Sequence, residues 1–200
     1  LYFTSENINF VSAGVISSYD PSTSVMSVLD TFDTQYFGVA RSKLMEASNG
    51  HLYVTTSSGG LYSKGAIVRW NTTGLELERM HSSQGYVFGQ YEEYELSKNN
   101  ILGEASDGFL YGCSRQGGEG VGNIFKINLD GTGYQSLYSF VAGIAGEGFF
   151  PTGMIEKNGK LYGSLAQEQI QNQFSGGIFY FDLATQLPTF LYSLDLEGSR

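Results

Sequence analysis

Apolar residues in this chain come in short runs broken by turn-forming residues, and no segment carries the sustained i, i+3, i+4 spacing of an amphipathic helix. The pattern is clearest between positions 101 and 140. It predicts four strands there, near Ile101–Ala105, Phe109–Ser114, Asn123–Asn128 and Tyr134–Phe140. Asp107-Gly108 separates the first two and fits a type I′ hairpin, whose two central residues need positive φ. Asn49-Gly50 and Asn158-Gly159 occupy the same place elsewhere. Asp130-Gly131, Asn71-Thr72-Thr73-Gly74 and Asp20-Pro21-Ser22 stand between third and fourth strands. Such turn chemistry predicts four-stranded antiparallel meanders.

The meander repeats. Leu-Tyr recurs at Leu1-Tyr2, Leu52-Tyr53, Leu110-Tyr111 and Leu161-Tyr162, and a Gly-x-Ile follows each time at Gly14, Gly65, Gly122 and Gly176. Aligned on these markers, Ile16, Ile67, Ile124 and Ile178 share a third-strand position, and so do Tyr19, Trp70, Ile127 and Phe181. On the fourth strands the alignment reads Leu29, Leu77, Leu137 and Leu191, then Phe32, Met80, Phe140 and Leu194. Large residues at matching positions predict a core made where one sheet packs face to face on the next. A period of this size is that of a propeller blade, close to the kelch and WD40 repeats. The fold class is therefore all-β, a β-propeller or propeller fragment of about four four-stranded antiparallel blades. Positions 1–200 form one repeat domain with units near 1–40, 41–98, 99–148 and 149–200. The first unit starts at its second strand, so the expectation is an excerpt of a larger propeller or a half-ring. Open blade edges then offer a route to self-association.

Composition narrows the partners. The net charge of −9, with 11 Lys and Arg, excludes a basic phosphate-binding face and so nucleic acid. Cys113 is the only cysteine and forms no intrachain disulfide. No apolar run is long enough for a membrane-spanning helix.

Gly108-Phe-Leu-Tyr-Gly112-Cys-Ser, Gly117-Gly118, Gly122-Asn-Ile-Phe-Lys126-Ile and Leu137-Tyr138-Ser139-Phe140 together resemble the GloVer tandem repeat. The resemblance covers nearly the whole chain. Phe3 replaces the glycine after the tyrosine in unit one, and Leu165-Ala166-Gln167-Glu168 replaces the Gly-Gly loop in unit four. The resemblance implies propeller-forming repeats and an extracellular or cell-surface location, with the periplasm as alternative. It transfers no catalytic residue.

Two sets of side chains stand out as candidate sites. Glu46, Glu104 and Glu156 recur near the end of each first strand. If first strands line a central channel, three carboxylates converge there and can coordinate a hard divalent cation through oxygen; the alternative is that they simply face channel water. No other cofactor is predicted. Glu92 and Glu93 lie among Tyr86, Phe88, Tyr91 and Tyr94 in the longest insertion, near positions 84–100. Aromatics there suit a glycan or protein contact, and paired carboxylates beside them suit glycoside cleavage. The leading expectation is a non-catalytic propeller that presents a rigid binding surface to a glycan or surface protein. The alternative is a carbohydrate-active enzyme, a glycoside hydrolase or lyase. The Gly-Gly loops lack a phosphate-binding ending and are read as permissive turns.

Overall fold

The computed structural model describes residues 1–5, 14–40, 42–87, 90–93, 102–114, 122–141, 151–165, 169–170, 173–174 and 176–193. All regular structure among them is β-strand. Blade one is the sheet β1 (Tyr2–Ser5), β2 (Val15–Asp20) and β3 (Val25–Thr31). Blade two is β4 (Met45–Glu46), β5 (Leu52–Thr55), β6 (Ala66–Asn71) and β7 (Glu76–Ser82). A separate hairpin follows, β8 (Gly85–Val87) and β9 (Gln90–Glu93). Blade three is β10 (Gly103–Glu104), β11 (Leu110–Ser114), β12 (Asn123–Ile127) and β13 (Gln135–Ser139). Blade four is β14 (Pro151–Lys157), β15 (Lys160–Leu165), β18 (Gly177–Asp182) and β19 (Leu187–Ser193). A short hairpin, β16 (Gln169–Ile170) and β17 (Gln173–Phe174), lies in its middle connection. Each blade is an antiparallel meander in chain order, as the turn residues predict. The two extra hairpins were not expected.

Each blade has two distinct faces because side chains alternate along a strand. Tyr53 and Ile67 of blade two point forward and pack with Leu102, Leu110, Phe125 and Ile127 of blade three. Leu52, Val54, Val68 and Trp70, one residue out of phase, point back and pack with Ile16 and Phe32 of blade one. Tyr111 and Ile124 of blade three likewise face Leu161, Phe179 and Phe181 of blade four. The Leu-Tyr dipeptide thus splits its work, leucine to the preceding blade and tyrosine to the following one.

All four blades carry a β-bulge beside the marker isoleucine. The ladder shifts at Ile16/Ser17, Ile67/Val68, Ile124/Phe125 and Ile178/Phe179, leaving Leu29, Met80, Leu137 and Leu191 as the extra residues. This corrects the fourth-strand alignment in blade two: Met80, not Leu77, is the counterpart of Leu29. Ser83 then matches Phe32 and Phe140. The amides of Phe32, Ser83 and Phe140 donate to Gly14, Gly65 and Gly122 in the same way.

The hairpins after the first strands are of two kinds. Asn158 and Gly159 both have positive φ, as a type I′ turn requires. At the other two, only Gly50 and Gly108 do. There Gly50 N–H donates to Ala47 O and Ala47 N–H to His51 O, which makes a three-residue loop with glycine at the left-handed position. The Asn49-Gly50 and Asp107-Gly108 turns are therefore not type I′. Asn49 and Asp107 keep ordinary φ, and their carboxamide or carboxylate oxygens accept from the amides of His51 and Phe109.

Candidate functional site

Meander topology gives the molecule two unlike ends. First-to-second and third-to-fourth strand turns gather at one end and are tight. Second-to-third and blade-to-blade connections gather at the other and are long, running for example from Thr31 to Met45, Thr55 to Ala66 and Ser82 to Gly103. Loops held by a rigid scaffold are where propellers place function.

The repeated glutamates lie at the tight-turn end. Glu104 accepts from Ser48 N–H and Ser48 Oγ–H, both at 2.6 Å, and so ties blade three to the hairpin of blade two. Glu156 accepts from Gly159 N–H at 2.7 Å inside its own hairpin. Glu46 ends β4 in an exposed position. Among the described residues no group of three or more His, Cys, Asp or Glu is gathered to hold a metal ion. The structure therefore does not bring the three carboxylates together.

A polar network joins blades two and three at this same end. Tyr53 Oη donates to Leu129 O at 2.8 Å and accepts from Asn49 Nδ2. Arg69 pairs with Glu78 and also donates to Leu129 O. The Asn71 amide, together with Arg69, holds the Glu78 carboxyl below its ordinary value. His51 Nδ1 accepts from Thr72 N–H, which links the two turns of blade two. Buried Tyr53 and the bonded carbonyl mark this network as architecture.

The long-loop end holds what the sequence reading missed. Asp33 Oδ1 accepts from the amides of Gln35 and Tyr36, and Asp33 O accepts from Phe37 and Gly38. This turn presses against the glycine loop of blade two. A Cβ on Gly38 would sit 1.4 Å from Ser58 O, and one on Gly59 2.3 Å from Gly38 N. Buried Thr56 bonds Phe37 O at 2.6 Å, Ser57 N–H donates to Val39 O, and Gly60 N–H donates to Tyr36 O. The two locked loops display Tyr36, Leu61 and Tyr62, each at least half exposed. The Arg79 guanidinium lies 4.0 Å over the Tyr36 ring and donates to Tyr36 O. The signal available in the sequence was a Leu-Tyr pair, Leu61-Tyr62, standing inside a glycine loop, out of register with the repeat.

The aromatic insertion belongs to the same end. Tyr86 lies opposite Tyr91 on the β8–β9 hairpin, which also carries Glu92 and Glu93. Phe88 and Tyr94 lie outside the described residues.

With this geometry in hand, the chain can be set beside known proteins. A family model described as the Gloeobacter/Verrucomicrobia repeat matches residues 1–200. No curated protein matches the chain. Among solved structures, TolB from Acinetobacter baumannii is 15% identical with a TM-score of 0.57, over 95% of this chain and 40% of that one. Hydrazine synthase from Kuenenia stuttgartiensis is 13% identical with a TM-score of 0.54, over 99% of this chain and 32% of that one. Both are propeller-like. The likeness shows the fold alone, and this chain spans less than half the length of either structure.

Proposed function

The chain belongs to the Gloeobacter/Verrucomicrobia repeat family, and on that premise we propose that it is a non-catalytic extracellular or periplasmic propeller module that binds a glycan or a protein at its long-loop end. The observation that carries this reading is the platform of Tyr36, Leu61 and Tyr62 on two interlocked loops, with Arg79 of β7 stacked on Tyr36. A surface ordered before binding loses little conformational entropy on contact, and exposed tyrosines add large area for few rotatable bonds. At the opposite end Glu104 and Glu156 are engaged in hairpin hydrogen bonds, which favours a binding role over carboxylate catalysis.

A panel of polysaccharides and surface proteins, scored for both retention and turnover, tests the proposal. Retention without release of reducing ends is expected, with Tyr36→Ala and Tyr62→Ala each weakening it about tenfold, the scale of an interface anchor. Release of reducing ends would instead establish the hydrolase or lyase alternative. Unchanged retention by both variants would remove the platform from the binding surface.

A further inference from the structure

We infer that the ligand of the long-loop platform is an acidic glycan, one whose sugars carry carboxylates, and that Arg79 selects for it; this rests on the binding role proposed for that platform. Charge is spread unevenly along the chain. Against 20 Asp and Glu and a net charge of −9, positions 34–45 and 47–75 contain no acidic residue, yet they contain Arg41, Lys43, Lys64 and Arg69. Arg69 is paired with Glu78 at the tight-turn end. Lys43 is exposed ahead of β4, and Lys64 stands in the glycine loop just after Tyr62. Arg41 lies outside the described residues. Asp33, which precedes the first loop, has its Oδ1 engaged by the amides of Gln35 and Tyr36. The two loops are thus locally cationic on an acidic protein, a field that favours an anion.

Arg79 gives that charge a shape. Its Nη1 and the Gly60 amide both donate to Tyr36 O, at 3.1 and 3.3 Å, so one carbonyl fixes the guanidinium beside the Gly60-Leu61-Tyr62 turn. Among the described residues Arg79 stacks on Tyr36 and forms no ion pair. A guanidinium holds five N–H donors in a planar fork, and with one used here the others suit a carboxylate.

Size decides between a sugar and a protein. A stable protein interface engages roughly 20–30 residues a side. The platform is Tyr36, Leu61 and Tyr62 with Arg79 beside them, the footprint of a short stretch of glycan. A uronic acid unit combines a C–H face that stacks on an aromatic ring with a carboxylate at the ring edge, the two features that Tyr62 and Arg79 recognise.

Calorimetric titration with polygalacturonate, alginate and hyaluronate, each measured beside its methyl ester, tests the inference. The wild type should bind at least one acid about tenfold more tightly than its ester, the scale of a hydrogen-bonded charge pair. Arg79→Gln should bring that ratio close to one, and Arg79→Lys, which keeps the charge and loses the fork, should fall between. Tyr62→Ala should weaken acid and ester alike and leave the ratio standing; thermal melts report whether each variant folds. No preference for any acid over its ester, or a preference unchanged in either Arg79 variant that folds, would overturn the inference. The platform would outlive that result if Tyr36→Ala and Tyr62→Ala still weakened retention of a neutral glycan or a protein. Acid binding untouched by both tyrosine variants would overturn platform and inference together. An oligoglutamate peptide bound as tightly as the best acid would overturn the glycan assignment in favour of a protein partner.

Discussion

At the scale of single residues, the position after the repeat tyrosine shows how one blade tolerates what another cannot. Gly112 lies opposite Phe125, and a Cβ there would sit 2.4 Å from the ring; Gly163 lies opposite Phe179 in the same way. Blade two pairs Val54 with Val68, and blade one pairs Phe3 with Ser17. Volume is shared across the two strands, so Phe3 is a compensated exchange. Gly112→Val should cost about 2 kcal/mol in urea unfolding, within the range for overpacking. Gly112→Val with Phe125→Val, which copies the blade two pair, should recover much of that loss. Strict additivity of the two changes would refute the volume argument. Cys113 makes a second case. It is fully buried, and burial pushes its thiol up to about 12. Thiol reagents should therefore label it only on unfolding, and labelling of the native protein at the rate of a free thiol would contradict this.

At the scale of elements, the turns do more than reverse the chain. Glu104 satisfies an amide and a hydroxyl of a neighbouring blade's hairpin. Glu104→Ala should cost about 1 kcal/mol, the usual worth of such a bond, and should couple with Ser48→Ala in a double-mutant cycle. Asp20, Asp130 and Asp182 each accept hydrogen bonds at the start of a third-to-fourth strand turn, and these bonds hold their carboxyls below the ordinary 3.8. Because the folded value is the lower one, the stabilisation is complete above the unfolded value and lost as pH falls through the folded one. Urea midpoints should thus decline below about pH 4, and changing all three residues to Asn should flatten that acid limb. Asn retains the accepting oxygen and loses the titration. An unaltered acid limb would place the sensitivity elsewhere.

At the scale of the whole molecule, head-to-tail stacking of blade faces governs the fold, while the asymmetry of the two ends sets where the proposed binding surface lies. The sequence by itself determined the blades: the Leu-Tyr and Gly-x-Ile markers, the Asn-Gly and Asp-Gly turns and the −9 charge are local or summed properties, legible without coordinates. It misled where matching by residue type competed with spacing. Leu77 looked like the partner of Leu29, but the distance from the marker isoleucine to the bulge is constant and selects Met80. Turn type was misjudged because Asn49-Gly50 and Asn158-Gly159 read alike, yet the hairpins they close differ by one residue in length. Two things came only from tertiary structure: the commitment of Glu104 to Ser48 and the locking of Gly38 against Gly59. Each joins residues on separate strands or blades, and a linear pattern carries no information on which face or loop lies opposite another until the sheets have stacked.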